Sequence, residues 1–155
     1  MTMRREIMSE KLITENPYLM HLGAELLKME NGEAKVGIRL RKEHSNSWSD
    51  MHGGITMTLL DCSMARAARS LVLPEITSAA TVEMKTSFFR PGGKVGQYII
   101  ATGRVLHHST TLYYCEAEIW NGEALVAKAM GTFKVFKRHD IAKRLQLTSA
   151  EYLNK

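Results

Sequence analysis

Cysteine, proline and long apolar runs are all scarce in this sequence, and each shortage closes off a class of protein. Cys62 and Cys115 are too few for a disulfide framework, and no CxxC pair or other metal-ligand spacing accompanies them. Both read as small buried hydrophobes of a reducing compartment, and no metal is expected. No stretch approaches about 18 consecutive apolar residues, and Arg4 and Arg5 are not followed by an apolar run of secretory length. A soluble, cytoplasmic protein with no membrane partner is the expectation. The three prolines, Pro17, Pro74 and Pro91, fall between periodic segments rather than inside them, and there is neither an internal repeat nor a low-complexity stretch.

What is present suits one globular unit. The chain has 155 residues, 45% hydrophobic and 24% charged, enough to bury a core without disulfides or a structural metal. The formal charge of +5 is spread from Arg4 to Lys155, and its densest groups (Arg39, Arg41, Lys42 and Lys134, Lys137, Arg138) sit at the ends of expected strands. With no recognition motif beside the charge, a solvated basic surface is expected, and a nucleic-acid partner is not.

Residues 3–15 read as a short helix stopped by Asn16-Pro17, and 1–17 as an N-terminal helical segment. Ala34, Val36, Ile38 and Leu40 then alternate strictly, and Asn31-Gly32 between two such runs predicts a hairpin of strands near 21–30 and 33–41. Residues 43–51 are polar and turn-prone around Trp48, which predicts a loop. From Ile55 to Leu73, Met57, Leu60, Met64, Ala68 and Leu71 recur by threes and fours, widened by Ile55, Leu59 and Ala67, so a largely buried helix is expected to run up to Pro74. Four β-rich runs follow at 77–89, 96–106, 110–120 and 124–136, the last two joined by Asn121-Gly122. The core domain is expected over 18–137, with a polar tail at 138–155. One long helix and about six antiparallel strands make an α+β arrangement in which a curved sheet wraps the helix, because neither can bury its apolar face alone.

The stretch from Asn46 to Asp61 carries the chemistry. Asn46 precedes His52-Gly53-Gly54 by six residues, and Asp61 follows His52 by nine. Thr81-Val82-Glu83-Met84 and Phe88-Phe89-Arg90-Pro91-Gly92 come after. In this order the chain resembles the hotdog-fold acyl-CoA thioesterases of the phenylacetate-degradation type, the group that includes His-Gly-Gly 4-hydroxybenzoyl-CoA thioesterases. The resemblance spans roughly residues 18–137.

Thioester hydrolysis needs donors aimed at the carbonyl oxygen and a base or nucleophile opposite it. Gly53 N–H, at the expected helix start, is the candidate donor, assisted by the helix dipole. The resemblance implies that Asn46 and His52 line the same pocket, the imidazole either orienting the thioester or stabilising the leaving thiolate. Asp61 shares the apolar helix face with Met57 and Met64 in this reading; it serves as general base or nucleophile, or else as a structural acid satisfied by Arg or backbone donors. Eight residues of helix separate Gly53 from Asp61, about 12 Å at 1.5 Å per residue, so one subunit does not easily present both to one thioester. The resemblance implies composite sites in a homodimer, commonly paired into a tetramer.

Thr81 stands where the resemblance implies a hydroxyl that helps hold the attacking water, although Thr is also a plain strand former. Gly54, Arg90, Gly92 and Lys94 are candidate substrate-binding residues, the basic ones for coenzyme A phosphates. His108, Ser109 and Thr110 are candidates for the pantetheine or nucleotide end. No separate cofactor is expected, since coenzyme A belongs to the substrate. Two other functions share the expected fold: a non-catalytic acyl-CoA sensor, and a hotdog enoyl-CoA hydratase or dehydratase.

Overall fold

A computed structural model describes residues 16–72 and 76–137. The expected helix at 3–15, the stop at Pro74 and the tail at 138–155 lie outside the described residues. The elements are α1 (Pro17–Leu22), β1 (Ala24–Glu30), β2 (Glu33–Arg39), a 3-10 turn at Lys42–His44, α2 (Gly53–Ser70), β3 (Ile76–Phe88), β4 (Tyr98–His108), β5 (Leu112–Asn121) and β6 (Ala124–Lys137). All six strands are antiparallel to their neighbours in one sheet, ordered β1-β2-β4-β5-β6-β3.

The sheet coils around α2 because, among the described residues, that helix has the only long apolar stripe available to it. Leu59, Leu60, Met64, Ala67 and Ala68 are wholly buried, against Val36, Ile38, Ala101, Ala117 and Phe133 from the strands. The small residues on α2 let β4 approach closely. At Gly103 an added Cβ would fall on the backbone of Ser63 and Met64, so no side chain fits there.

Three expectations change. Asn16-Pro17 begins a short helix of its own ahead of the hairpin: Asn16 Oδ1 accepts from Leu19 N–H at 3.1 Å, and Pro17 occupies the first helical position, where a missing N–H costs nothing. The strand expected from residue 21 therefore begins at Ala24, after Gly23 closes α1 with φ +72°. The second Asn-Gly turn is displaced by one residue. Asn31 and Gly32 both have positive φ, as a type I′ turn requires, but Asn121 still pairs in β5 and only Gly122 is positive. Finally, the buried stripe of α2 is rotated from the one expected. Met57 and Leu71 are 40% and 41% exposed, and Asp61 lies beside Met57 on the flank, half-buried.

Candidate active site

The chain enters α2 through a small, tightly bonded loop. Asn46 N–H donates to Asp50 O at 2.8 Å, Ser49 N–H to Asn46 O at 3.0 Å, and Ser45 pairs with Met51 as an isolated bridge. Inside this loop Asn46 Oδ1 accepts from both Trp48 N–H (2.9 Å) and Asp50 N–H (3.1 Å). Two backbone donors on one oxygen fix which end of the amide faces inward, and the NH₂ end is left to donate elsewhere. Below the loop, Met51 N–H donates to Gly93 O and His52 N–H to His44 O, each at 2.8 Å.

His52 caps α2. Its backbone is extended (φ −61°, ψ 137°) and its Nδ1 accepts from Gly54 N–H at 2.9 Å. The imidazole thus acts as a short polar cap, and its ring proton sits on Nε2. Ile55 and Thr56 both donate to His52 O, at 2.9 and 3.2 Å. Of the donors that begin the helix, Gly53 N–H is the one with no partner among the described residues. An added Cβ on Gly53 would lie 3.6 Å from the Phe88 ring, which places the end of β3 beside this donor.

Eight residues along α2, Asp61 Oδ1 accepts from Thr81 Oγ1–H at 2.6 Å. Thr81 is exposed, and β3 carries a bulge between Thr81 and Glu83 against β6. That extra residue is what puts Thr81 on the helix side while Glu83 faces out to Thr132 (2.6 Å). One acid, one hydroxyl and one backbone donor are therefore present, but at two separate stations of the same helix. Neither cysteine competes as a nucleophile: burial pushes the Cys62 thiol up to about 11 and Cys115 to about 12, which keeps both protonated near neutrality.

The remaining candidates are distributed around this region. Lys94 Nζ forms an ion pair with Asp50 Oδ1 at 2.8 Å, tying the β3–β4 loop to the Asn46 loop. Arg90 Nη1 donates to Leu125 O at 3.0 Å. Gly92 is buried against Met51, whose side chain would collide with any Cβ there. Gly54 similarly has His52 Nδ1 3.0 Å from the place of a Cβ. His108, Ser109 and Thr110 lie at the β4–β5 tip, where His108 pairs with Tyr113 in the row that continues through Phe133 to Thr81. There Ser109 Oγ accepts from Leu112 N–H at 3.1 Å and the His108 ring stacks on Tyr113 at 4.8 Å.

Sequence reasoning missed three contacts. His44 anchors the loop from beneath, Asp50 pairs with Lys94, and Phe88 flanks Gly53. A signal existed for Phe88 in the Phe88-Phe89 pair that closes β3 ahead of Arg90-Pro91-Gly92; for His44 and Asp50 there was only a polar run.

A six-stranded antiparallel sheet wound about one long helix, with a glycine-rich helix start and a carboxylate further along it, defines a hotdog-fold enzyme. The family model described as the thioesterase superfamily matches residues 49–128, more than half the chain and every residue from the Asn46 loop's end through Thr81. A putative esterase of Saccharolobus solfataricus is 30% identical over 117 residues, covering 75% of this chain and 81% of its own. Acyl-coenzyme A thioesterase PaaI of Escherichia coli is 31% identical over 100 residues, 64% of this chain and 68% of that one. The solved structure of the E. coli PaaI protein superposes with a TM-score of 0.73 at 25% identity, covering 83% of this chain and 91% of that one. The chain belongs to the thioesterase superfamily and is a thioester hydrolase.

Proposed function

We propose that the protein hydrolyses acyl-coenzyme A thioesters at composite sites of a homodimer, Asp61 and Thr81 of one subunit facing Gly53 of the other. The observation that carries this reading is the unpartnered Gly53 N–H at the head of α2, together with a carboxylate about 12 Å further along the same helix. A thioester spans a few ångströms, so the two stations serve one carbonyl only across a subunit boundary. The E. coli relative is named an acyl-coenzyme A thioesterase, which supports the substrate class.

An unoccupied sheet edge supports the dimer. β3 is 13 residues long and pairs only with β6 among the described residues, and its exposed Val82 and Phe88 are 59% and 51% accessible. Two β3 edges joined antiparallel about a two-fold axis would abolish both edges at once. Phe88 marks Gly53 on the strand and Thr81 marks Asp61, and both residues face the helix side. Setting Phe88 opposite the partner's Thr81, with Val82 left out as the bulge, puts the axis near Lys85.

In the reaction, water held by Asp61 and the Thr81 hydroxyl attacks the carbonyl carbon as its proton passes to the free Asp61 oxygen. The partner's Gly53 N–H receives the oxyanion. The carbon–sulfur bond then breaks, and the proton returns to the coenzyme A thiolate. Asn46 NH₂ and His52 Nε2–H are the two remaining donors on the Gly53 side, placed to hold the thioester or the departing sulfur. Arg90 and Lys94 would meet the phosphates at the entrance, and the His108–Thr110 tip would border the nucleotide end. A nucleophilic Asp61 would pass through a mixed anhydride instead; where water opens that anhydride at the Asp61 carbonyl carbon, labelled oxygen from water enters the carboxylate in a single turnover.

The test is a panel of short, medium, long and aryl acyl-coenzyme A esters read by thiol release, with the assembly sized by light scattering. Turnover of at least one ester by a dimer or tetramer is the expected result. No turnover of any ester, or a monomeric mass, would overturn the reading.

A further inference from the structure

His44 is a buried histidine that no step above uses. It is 1% exposed, and its ring is engaged on both nitrogens. Nδ1 accepts from Arg41 N–H at 3.1 Å, while the other ring nitrogen faces the end of α1, where it interacts with the Leu22 backbone and lies 3.4 Å from Arg41 Nη2. Arg41 in turn donates from Nη2 to His21 O (2.9 Å) and Leu22 O (3.2 Å), closing the α1 terminus. The His44 carbonyl accepts His52 N–H at 2.8 Å, one residue before Gly53. One residue thus joins three segments: its imidazole ties the 3-10 turn to the end of α1, and its main-chain carbonyl holds the residue that caps α2.

We propose that His44 is a positioning residue, its neutral imidazole holding the turn that aims Gly53 N–H at the substrate. The claim rests on the oxyanion role given to Gly53. A protonated ring would turn Nδ1 into a donor facing the Arg41 N–H donor, so the clamp exists only while His44 is neutral. The groups around it act in both directions. Burial and the Arg41 charge push its pKa below the ordinary histidine value, His21 adds to that, and Glu43 opposes it. A folded value below the unfolded one means that the stabilisation is fully present above the unfolded value of 6.5 and is lost as pH falls through the folded value. Positioning of Gly53 should therefore weaken on acidification.

The experiment compares the parent protein, His44→Ala and His44→Asn by steady-state kinetics and by the hydrogen-exchange protection factors of the His52 and Gly54 amides, each taken relative to the intrinsic rate at its own pH, at about pH 7.5 and about pH 5.5. In Asn, Oδ1 takes the place of Nδ1 as acceptor and does not titrate. His44→Ala is expected to lose about ten- to a hundred-fold in kcat with KM within about three-fold, as for a donor misplaced by an ångström, and to lose protection at His52 and Gly54 while the middle of α2 stays protected. His44→Asn should recover most of the rate and all of the protection, and should remove the fall in protection factor that the parent shows at the lower pH. Unchanged exchange in His44→Ala, or the same acid response in His44→Asn as in the parent, would overturn the proposal. If the alanine variant does not fold, the parent and His44→Asn compared across pH decide the matter alone. Exchange reads the positioning without any turnover, so failure to hydrolyse thioesters would sink the proposed function and leave this test standing.

Discussion

Replacing Asp61 by Asn is expected to lower kcat by about 10²–10⁴-fold, the usual range for removing a general base, with KM little changed. Asn is the informative substitution because its Oδ1 can still accept from Thr81 Oγ1–H, the bond that measures 2.6 Å to Asp61. The side chain keeps its shape and its strand contact and loses only the capacity to take a proton. Asp61 is half-buried on the flank of α2 and not part of the core stripe, so the fold should be unaffected. Because the lost interaction acts only as the water is deprotonated, kcat and kcat/KM should fall together. Thiol release measured across substrate concentration checks this, and a variant within three-fold of the parent, roughly the noise of such comparisons, would remove Asp61 from the chemistry.

Gly53→Pro should cost about 10²–10³-fold in kcat, the effect typical of losing one oxyanion donor. The substitution deletes the N–H and little else. Gly53 is the first residue of α2, where proline is well tolerated, and His52 before it already has the extended backbone that a following proline requires. The Cβ meets Phe88 at an ordinary 3.6 Å. Gly53→Ala is the control, since it adds the same carbon and keeps the donor. Helix content by circular dichroism should match in all three proteins, and only proline should show the loss in kcat. Equal losses in the alanine and proline variants would assign the effect to crowding beside Phe88 instead of to the missing donor.

Much of the fold was written in periodicities that need no tertiary information. Asn31-Gly32 sits where two alternating runs meet and adopts the positive φ angles that its residues favour, and the apolar repeat of α2 runs from Ile55 to Ala68 within one buried stripe. Errors arose where one stretch supports two local outcomes. The strand expected from residue 21 begins only at Ala24, because the residues before it suit a helix as well and Pro17–Leu22 forms one, with Leu19 wholly buried. The phase of the α2 stripe was misjudged at its ends because methionine and leucine tolerate exposure, which shifted Asp61 from the flank onto the buried face in the sequence reading.

The candidate site divides the same way. Asn46, His52, Gly53 and Asp61 were legible because their spacing is local. The Asp61–Thr81 bond depends on a bulge at Val82, and the Lys94–Asp50 pair and the His44 clamp each join segments far apart in sequence or hidden in a polar run. No periodicity records contacts of that kind.

The composite site itself is tested most directly by joining the two disabled variants. Asp61→Asn and Gly53→Pro chains carrying different tags are co-expressed, and the mixed dimer is isolated through both tags in turn. In a composite arrangement one of its two sites collects both defects and the other collects none, so the mixed dimer should recover about half of the parent activity. If Asp61 and Gly53 act within one chain, every site of the mixed dimer is defective, and activity no higher than that of the better single variant would contradict the composite site.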